Sequence, residues 1–177
     1  METDLNRIKQ LPEQKEDENW QFRAFLKRSD TPLERMDRIV HRLYKEVSSQ
    51  IDCKSCANCC KEIRVSLDQE DIEKLSNALG ISAVRFRKQY LVESEESGEF
   101  VFKEKPCPFL KDNRCSHYNY RPKECRSYPH LHKNDFVFRL IGVIQNSSIC
   151  PIVFNVYEYL KAEIWDFEDF QYIDDLE

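Results

Sequence analysis

The cysteines are the residues whose type and spacing most clearly indicate chemistry. Four of the eight lie in the segment CKSCANCC, at Cys53, Cys56, Cys59 and Cys60. Thiolates are soft ligands that suit zinc and iron–sulfur clusters, and two residues between cysteines let a short loop turn both sulfurs toward one metal. In a reducing compartment eight thiols make a poor disulfide framework, so this spacing indicates metal binding or catalysis.

The adjacent pair Cys59 and Cys60 carries a further expectation. Neighbouring side chains diverge, so the two thiols do not easily bind the same tetrahedral ion. Either eight thiolates divide into two centres of four, or one thiol is held out of coordination. In the second case Cys60 or one distal cysteine is a small buried apolar residue, as free cysteine often is.

The other four cysteines extend the pattern. They are Cys107, Cys115, Cys125 and Cys150, in the segments CPFLKDNRCSHYNYRPKECRSYP and ICP. The ordered series CxxCxxCC, CPFL, a cysteine followed by YxxRPxxCRxYP, and CP resembles the CxxCxxCC (YkgJ-type) cysteine-cluster family of zinc- or iron-chelating domains, over residues 53–151. The resemblance implies metal chelation, and a related cysteine cluster occurs in flagellin lysine methylases. It implies no settled activity, because the family is named for its motif.

The identity of the metal stays open between an iron–sulfur cluster and zinc. Bacterial ferredoxins use CxxCxxC with a Cys-Pro pair, and this chain has CxxCxxC with two remote Cys-Pro pairs, which favours iron–sulfur. The paired CxxC knuckles of a zinc ribbon are absent, but zinc tolerates irregular spacing and would be structural here. We expect Cys59 or Cys60 to complete a centre made mainly by distal cysteines, and a distal Cys-Pro cysteine to complete the first.

Other candidate site residues are weaker. His117, His130 and His132 could each replace a cysteine as a ligand, although such histidines are more often hydrogen-bond partners or surface residues. Cys125 and Cys150 stand near predicted helix starts, where backbone amides lower a thiol pKa and help a metal ligand as much as a nucleophile. No Cys-His-Asn or Cys-His-Asp arrangement is recognisable, so no catalytic residue is assigned.

Charge is distributed unevenly along the chain. Residues 103–139 contain nine Lys or Arg and four Asp or Glu, whereas the whole chain has a net charge of −5. This basic, tyrosine-rich segment could bind an anion or nucleic acid. We favour charge compensation, because two metal centres with four thiolates each carry about four negative charges in total. A pI near 5.5 also disfavours nucleic acid as a partner.

The composition excludes several classes of protein. Only Gly80, Gly98 and Gly142 occur, so there is no GxGxxG dinucleotide turn and no GxxxxGKS/T phosphate loop. No apolar run is long enough to span a membrane, and the charged start METDLNRIKQLPEQKEDENW lacks the apolar core of a signal peptide. We therefore expect a cytoplasmic protein without membrane contact.

The elements around the cysteines are predicted to be mostly helical. Segment 31–51 has apolar residues at three- and four-residue spacings, with Pro32 at the helix start. Ser66 and Gln69 form a capping box for a helix to Leu79, and Gly80 follows as its C-terminal cap. The remaining predicted elements are strands at 62–67 and 99–105, a helix at 82–91 (capped by Ser82) and a helix from Pro151 with Ile152, Val156, Leu160 and Ile164 on one face. Segment 135–144 is compatible with a strand or a helix, and we favour a helix because Asp135 could cap it.

The predicted fold class is mainly α with minor β, a small irregular cysteine-rich domain organised by metal centres. We divide the chain into an N-terminal arm and helix at 1–50 that pack on the body, a metal-binding domain at 51–164, and an acidic tail at 165–177. The arm contains aromatic residues that plain core packing explains best.

Two functions are compatible with these features. The first is a metal-binding protein whose iron–sulfur or zinc centre is structural or handles metal, with a possible protein partner. The second is an iron–sulfur redox or protein-modifying enzyme, or a subunit of one, related to lysine methylases. The length of 177 residues favours the first, because no separate segment for a second substrate or cofactor is recognisable.

Overall fold

The structure is a computed structural model that describes residues 1–95 and 98–174, with side chains up to Trp165. It is 62% helix and 7% strand, which confirms the mainly α fold class with minor β. Of the acidic tail predicted at 165–177, the structure describes only the backbone up to Asp174 and the side chain of Trp165. None of the helices in the described residues is long and apolar enough to cross a membrane.

The elements follow one another along the chain as helices of 4 to 24 residues, interrupted by strands of two or three residues. The helices are α1 (Leu5–Gln14), α2 (Glu16–Arg28), α3 (Leu33–Ser48), α4 (Cys53–Cys56), α5 (Asn58–Glu62), α6 (Gln69–Ala78), α7 (Ala83–Tyr90), α8 (Lys123–Ser127), α9 (Leu140–Ser147) and α10 (Pro151–Asp174). The strands are β1 (Ser66–Leu67), β2 (Leu91–Glu93), β3 (Phe100–Phe102), β4 (Leu110–Lys111) and β5 (Arg114–Cys115). Two 3-10 helices lie at Tyr118–Tyr120 and Phe136–Arg139.

The chain divides into two compact units, which are described separately. Met1–Asp52 together with Pro129–Glu177 form the first, here called the helical unit. Cys53–Tyr128 form the second, here called the cysteine unit.

Helices α3 and α10 pack together in the helical unit. The prediction of a helix within segment 31–51 is confirmed, with Pro32 at its N-cap position. Helix α10 begins at Pro151 as predicted, and Ile152, Val156 and Leu160 from its predicted face are buried. These apolar stripes hold the unit together because each buries one face against the other helix.

The N-terminal arm consists of the two helices α1 and α2, and its aromatic residues are divided between core and surface. Phe22 is fully buried, whereas Trp20 is 42% exposed. The arm is also joined to the buried Lys161 of α10, whose ammonium donates hydrogen bonds to Glu18, Asn19 and Glu158 at 2.6–2.7 Å. All three N–H donors of this lysine are therefore satisfied, as a buried charge requires.

The predicted cap at Asp135 is wrong. Asp135 has a φ of +60° and its side chain makes no capping hydrogen bond. The buried carboxylate of Asp37, on α3, instead accepts hydrogen bonds from the backbone N–H groups of Asp135 at 2.9 Å and Phe136 at 3.0 Å. The segment predicted as one helix at 135–144 is a 3-10 helix followed by α9.

The cysteine unit contains α6, α7 and a three-stranded antiparallel sheet of order β1-β3-β2. The buried core consists of Leu67, Ile72, Leu75, Phe86, Leu91, Phe102 and Phe109. The strands predicted at 62–67 and 99–105 are present but shorter, as β1 and β3.

The caps of α6 and α7 test the sequence rules for helix starts. Ser82 caps α7 as predicted, accepting from the Arg85 N–H at 3.2 Å, and Gly80 has the positive φ of +66° expected after a helix end. The capping residue of α6 is Asp68 and not the predicted Ser66. Ser66 is held in β1 opposite Val101, so its side chain is not available at the helix start.

Candidate metal centre

The CKSCANCC segment forms two short helices with a sharp turn between them. Helix α4 carries Cys53 and Cys56, and α5 carries Cys59 and Cys60. Between them Ala57 adopts a left-handed conformation with φ of +51°, and it is only 5% exposed. This turn prevents one continuous helix and gives the two cysteine pairs different directions.

A backbone hydrogen bond joins this segment to the distal cysteines. The N–H of Cys107 donates to the carbonyl oxygen of Cys60 at 2.8 Å. Cys107 then begins a turn in which its own carbonyl accepts from the Leu110 N–H at 2.9 Å. Cys60 and Cys107 are thus held together although 46 residues separate them in sequence.

Cys115 is positioned by a hairpin that the sequence analysis did not predict. Strands β4 and β5 pair so that Leu110 lies opposite Cys115. The loop residues Asp112 and Asn113 have φ of +48° and +58°, as a type I′ turn requires. The Asp-Asn pair was the available sequence signal, because both residues tolerate positive φ. Cys115, like Cys107, packs against the buried core of the cysteine unit.

Cys125 lies in α8, which is tied to α6. The N–H of Lys123 donates to Asp71 at 3.0 Å, and the ammonium of Lys123 forms an ion pair with Asp68 at 2.5 Å. Neither contact was anticipated from the sequence, because each joins residues more than fifty positions apart.

Four thiols share one electrostatic environment. Burial raises the pKa of Cys107 to about 11 and that of Cys125 to about 12, and the negative charge of Cys60 adds to both increases. The pKa of Cys115 is also raised, again first by burial and further by Cys60. We call Cys60, Cys107, Cys115 and Cys125 the thiol cluster. The expected lowering of the Cys125 pKa is wrong, because burial outweighs the amides of a five-residue helix.

Cys60 is the thiol of the cluster that ionises most easily. Its pKa falls to about 7, first because the Cys59 thiol donates a hydrogen bond to it and also because Arg121 and Lys61 are nearby, while burial opposes the shift. The Cys59 thiol therefore lies close enough to Cys60 to lower its pKa, and the assignment of the two thiols to different centres stays a prediction. Both residues lie in the first turn of α5, where neighbouring side chains are about 100° apart and not on opposite faces as in a strand.

The remaining cysteines have different surroundings. None of the eight cysteines forms a disulfide. Cys53 is exposed and Cys56 is half-buried. Cys150 is buried in the helical unit, where its N–H donates to the Asn146 carbonyl at 2.9 Å. Its role as a ligand stays a prediction.

The histidines predicted as alternative ligands are also divided between the units. His117 is in the cysteine unit, with its ring 5.0 Å from the Phe109 ring and its Nδ1 3.0 Å from the Ser116 hydroxyl. His130 and His132 are in the helical unit, and the His132 ring lies 6.2 Å from the Tyr44 ring.

The basic segment contributes Arg121 directly to the thiol cluster. Burial raises the pKa of Cys115 and Cys125, and the positive charge of Arg121 opposes both increases. Arg121 is held by its Nε–H, which donates to the Tyr118 carbonyl at 2.9 Å, and its guanidinium lies 3.5 Å from the Tyr118 ring centre. Lys54 lies 5.3 Å from the same ring.

The donor set of the thiol cluster fits a thiophilic metal. Four cysteine thiolates are the ligand set of a closed zinc site and also of an iron–sulfur cluster. Among the side chains that the structure describes, in residues 1–95 and 98–165, no group of three or more His, Cys, Asp or Glu is arranged to hold a metal ion as it stands. The thiol cluster is therefore defined by the electrostatic effects among its members and by the Cys60–Cys107 hydrogen bond.

Comparison with known proteins adds one result. A family model named CxxCxxCC, with the description "Putative zinc- or iron-chelating domain", matches residues 52–150. Comparisons with curated proteins and with solved structures found no match. The matched segment is more than half of the 177 residues and contains all eight cysteines. The chain therefore belongs to the CxxCxxCC family of zinc- or iron-chelating domains.

Proposed function

We propose that this protein binds zinc or an iron–sulfur cluster through the thiol cluster, in a centre that is structural or handles metal. The observation that carries the proposal is that the charge of Cys60 acts on Cys107, Cys115 and Cys125 together. Four thiols in mutual electrostatic contact repel one another as they ionise, and a bound cation removes that cost.

The other cysteines of CxxCxxCC supply a second group of donors. Cys53, Cys56 and Cys59 have the spacing of three ligands within one loop. We propose that they hold a second centre, with Cys59 ceasing to donate to Cys60 when its own thiol ionises. Cys150 stays a sequence-based prediction as an eighth ligand.

Arg121 supports a compensating role for the basic segment. A divalent cation with four thiolates has a net charge of about −2, which is costly in a half-buried site without nearby positive charge. Arg121 and Lys61 both act on Cys60, so they reduce this cost. We therefore propose charge compensation, and not nucleic-acid binding, as the role of these cations.

The enzyme alternative requires an open coordination position or a deep pocket beside the thiols. A cavity of about 640 Å³ over the sheet of the cysteine unit is lined by Arg64, Ser66, Val92, Glu93, Ser94, Glu95, Glu99 and Val101. None of these residues is a cysteine, so this cavity gives the enzyme alternative no support.

Anaerobic purification of the full chain, followed by elemental analysis and visible absorption, tests the proposal. Brown protein with iron and sulfide identifies a cluster, and colourless protein with zinc identifies the other metal. We expect Cys125→Ser to lose one centre, whereas Val84→Ala, at a side chain 74% exposed on α7, keeps the full metal content. Persistent absence of iron and zinc in the wild-type protein would contradict the proposal.

A further inference from the structure

The helix that carries Cys125 begins without a cap of its own. Helix α8 has five residues, and its N-cap residue is Pro122, which makes no side-chain capping hydrogen bond. A helix this short does not form by itself, and its first backbone N–H groups need partners from elsewhere. The direction of the Cys125 side chain therefore depends on what holds the start of α8.

A buried carboxylate on another helix supplies that partner. Asp71, in the first turn of α6, accepts a hydrogen bond from the Lys123 N–H at 3.0 Å and is only 2% exposed. Asp68 accepts from the Lys123 ammonium at 2.5 Å and also from the Asp71 N–H at 2.8 Å. One turn of α6 thus fixes both the backbone and the side chain of Lys123, two residues before Cys125.

Stability alone is a poor reason for a carboxylate at this position. The Oδ2 atom of Asp71 is buried and has no hydrogen-bond partner among the described residues. A buried carboxylate with one unpaired oxygen is costly compared with an apolar side chain of similar size. The paired oxygen, in contrast, defines the position of one backbone N–H and therefore the direction of α8.

We propose that Asp71 is a positioning residue for the metal centre, which holds the Lys123 N–H and thereby directs the Cys125 thiol toward the rest of the thiol cluster. The inference rests on the proposed function, because it takes Cys125 to be a ligand. Partners that orient metal ligands in this way control affinity without touching the metal.

The hydrogen bond can be removed from either side. On the acceptor side, Asp71→Val removes it and Asp71→Asn keeps an amide oxygen in the same place. On the donor side, Lys123→Pro removes the N–H at the first helical position, where proline is favoured, and Lys123→Ala removes only the side chain. Pro122 has the extended ψ of 152° that a residue before proline adopts.

Each variant is titrated as the full chain under anaerobic conditions. Binding of Co²⁺ is followed by its sulfur-to-metal absorption, and binding of Zn²⁺ by competition with a chromophoric chelator. We expect Asp71→Val and Lys123→Pro to bind about 10- to 100-fold more weakly, and Asp71→Asn and Lys123→Ala to stay within about threefold of wild type. The sulfur-to-cobalt absorption of this centre should fall by about a quarter in the two weak variants, as one of four thiolates leaves.

Ser82→Ala is the control for a loss of stability away from the thiols. It removes the cap of α7 in the same unit, so it should lower the midpoint of denaturant unfolding and leave metal affinity unchanged. Equal weakening of binding in Ser82→Ala and Asp71→Val overturns the inference, because the effect would then be one of general stability.

The outcomes separate the inference from the proposed function. Wild-type affinity and absorption in both Asp71→Val and Lys123→Pro overturn the positioning role and leave the metal centre in place. If Asp71→Val does not fold, the positioning role is tested by comparing Lys123→Pro with Lys123→Ala, because Lys123 is exposed. Unchanged cobalt absorption in Cys125→Ser contradicts the proposed function itself.

Discussion

In the metal-free protein we expect Cys60 to react with iodoacetamide far faster than the other thiols of the cluster. At pH 7 a thiol with a pKa of about 7 is half ionised. With pKa values of about 11 and 12, Cys107 and Cys125 have thiolate fractions of about 10⁻⁴ and 10⁻⁵. Since the thiolate is the reactive form, Cys60 has a large advantage at neutral pH.

The advantage is reduced because a thiolate of lower pKa is a weaker nucleophile. The Brønsted coefficient is about 0.4–0.5, and the pKa values of Cys60 and Cys107 differ by about four units. The Cys60 thiolate is therefore intrinsically less reactive than the Cys107 thiolate by a factor of about 40–100. The expected rate ratio is therefore about 100 for Cys60 over Cys107, and about 300 for Cys60 over Cys125. All three side chains are half-buried, so access of the reagent does not separate them.

The assay is brief alkylation of the reduced, chelator-treated protein, with peptide mass spectrometry at less than one modification per molecule. The Cys60 rate should rise as pH increases through about 7, because the thiolate forms over that interval. Cys59→Ala removes the hydrogen-bond donor and should move this profile to higher pH, whereas Cys59→Ser keeps a donor and should move it less. Equal rates at Cys60 and Cys107, or a profile that Cys59→Ala leaves unchanged, would refute the reasoning.

Three further predictions concern stability and order. Lys161→Met should lower the free energy of unfolding by about 3 kcal/mol in denaturant titration, because two carboxylates lose a buried cation, and an unchanged midpoint would contradict this. Asp37→Ala should lower the free energy of unfolding by about 1–3 kcal/mol for each of the two backbone N–H groups that it leaves unpaired, and it should speed hydrogen exchange at Phe136. Asp37→Asn keeps an acceptor and should lower the free energy of unfolding less. An equal loss of stability in both variants would argue against the capping role. Chelation of metal should increase hydrogen exchange in residues 98–134 more than in α6, because coordination orders that segment, and equal protection with and without metal would count against it.

The helices with strong apolar periodicity were the part of the fold that the sequence could predict. Helices α3 and α10 are long enough for several apolar residues to recur on one face, and α7 has a local serine cap. The cap of α6 was predicted at the wrong residue because Ser66 and Asp68 both precede the helix, and strand pairing with Val101 decides between them. That pairing depends on tertiary structure, which the local pattern does not contain.

The sequence indicates the cysteines as candidate ligands, but it does not indicate how they are grouped. Cys59 and Cys60 are adjacent in sequence and both lie in the first turn of α5, so their spacing does not indicate which of them belongs to the thiol cluster. The choice of Cys60 for the thiol cluster comes from its carbonyl, which accepts from the Cys107 N–H. The hydrogen bond from Cys59 to Cys60 likewise depends on the turn at Ala57, whose positive φ is uncommon for alanine and is not indicated by its residue type.

In each unit, a carboxylate on an early helix accepts hydrogen bonds from backbone N–H groups at the start of an element later in the chain. Asp37 holds the N–H groups at the start of the 3-10 helix Phe136–Arg139, and Asp71 holds the first N–H of α8. A local cap is recognisable within about four residues of a helix start, whereas these caps act across 52 to 99 positions. Neither segment has a side-chain cap of its own, so the start of each depends on an earlier helix for a hydrogen-bond acceptor. If Cys125 is a ligand as proposed, its position relative to Cys60, Cys107 and Cys115 therefore depends on the position of α6.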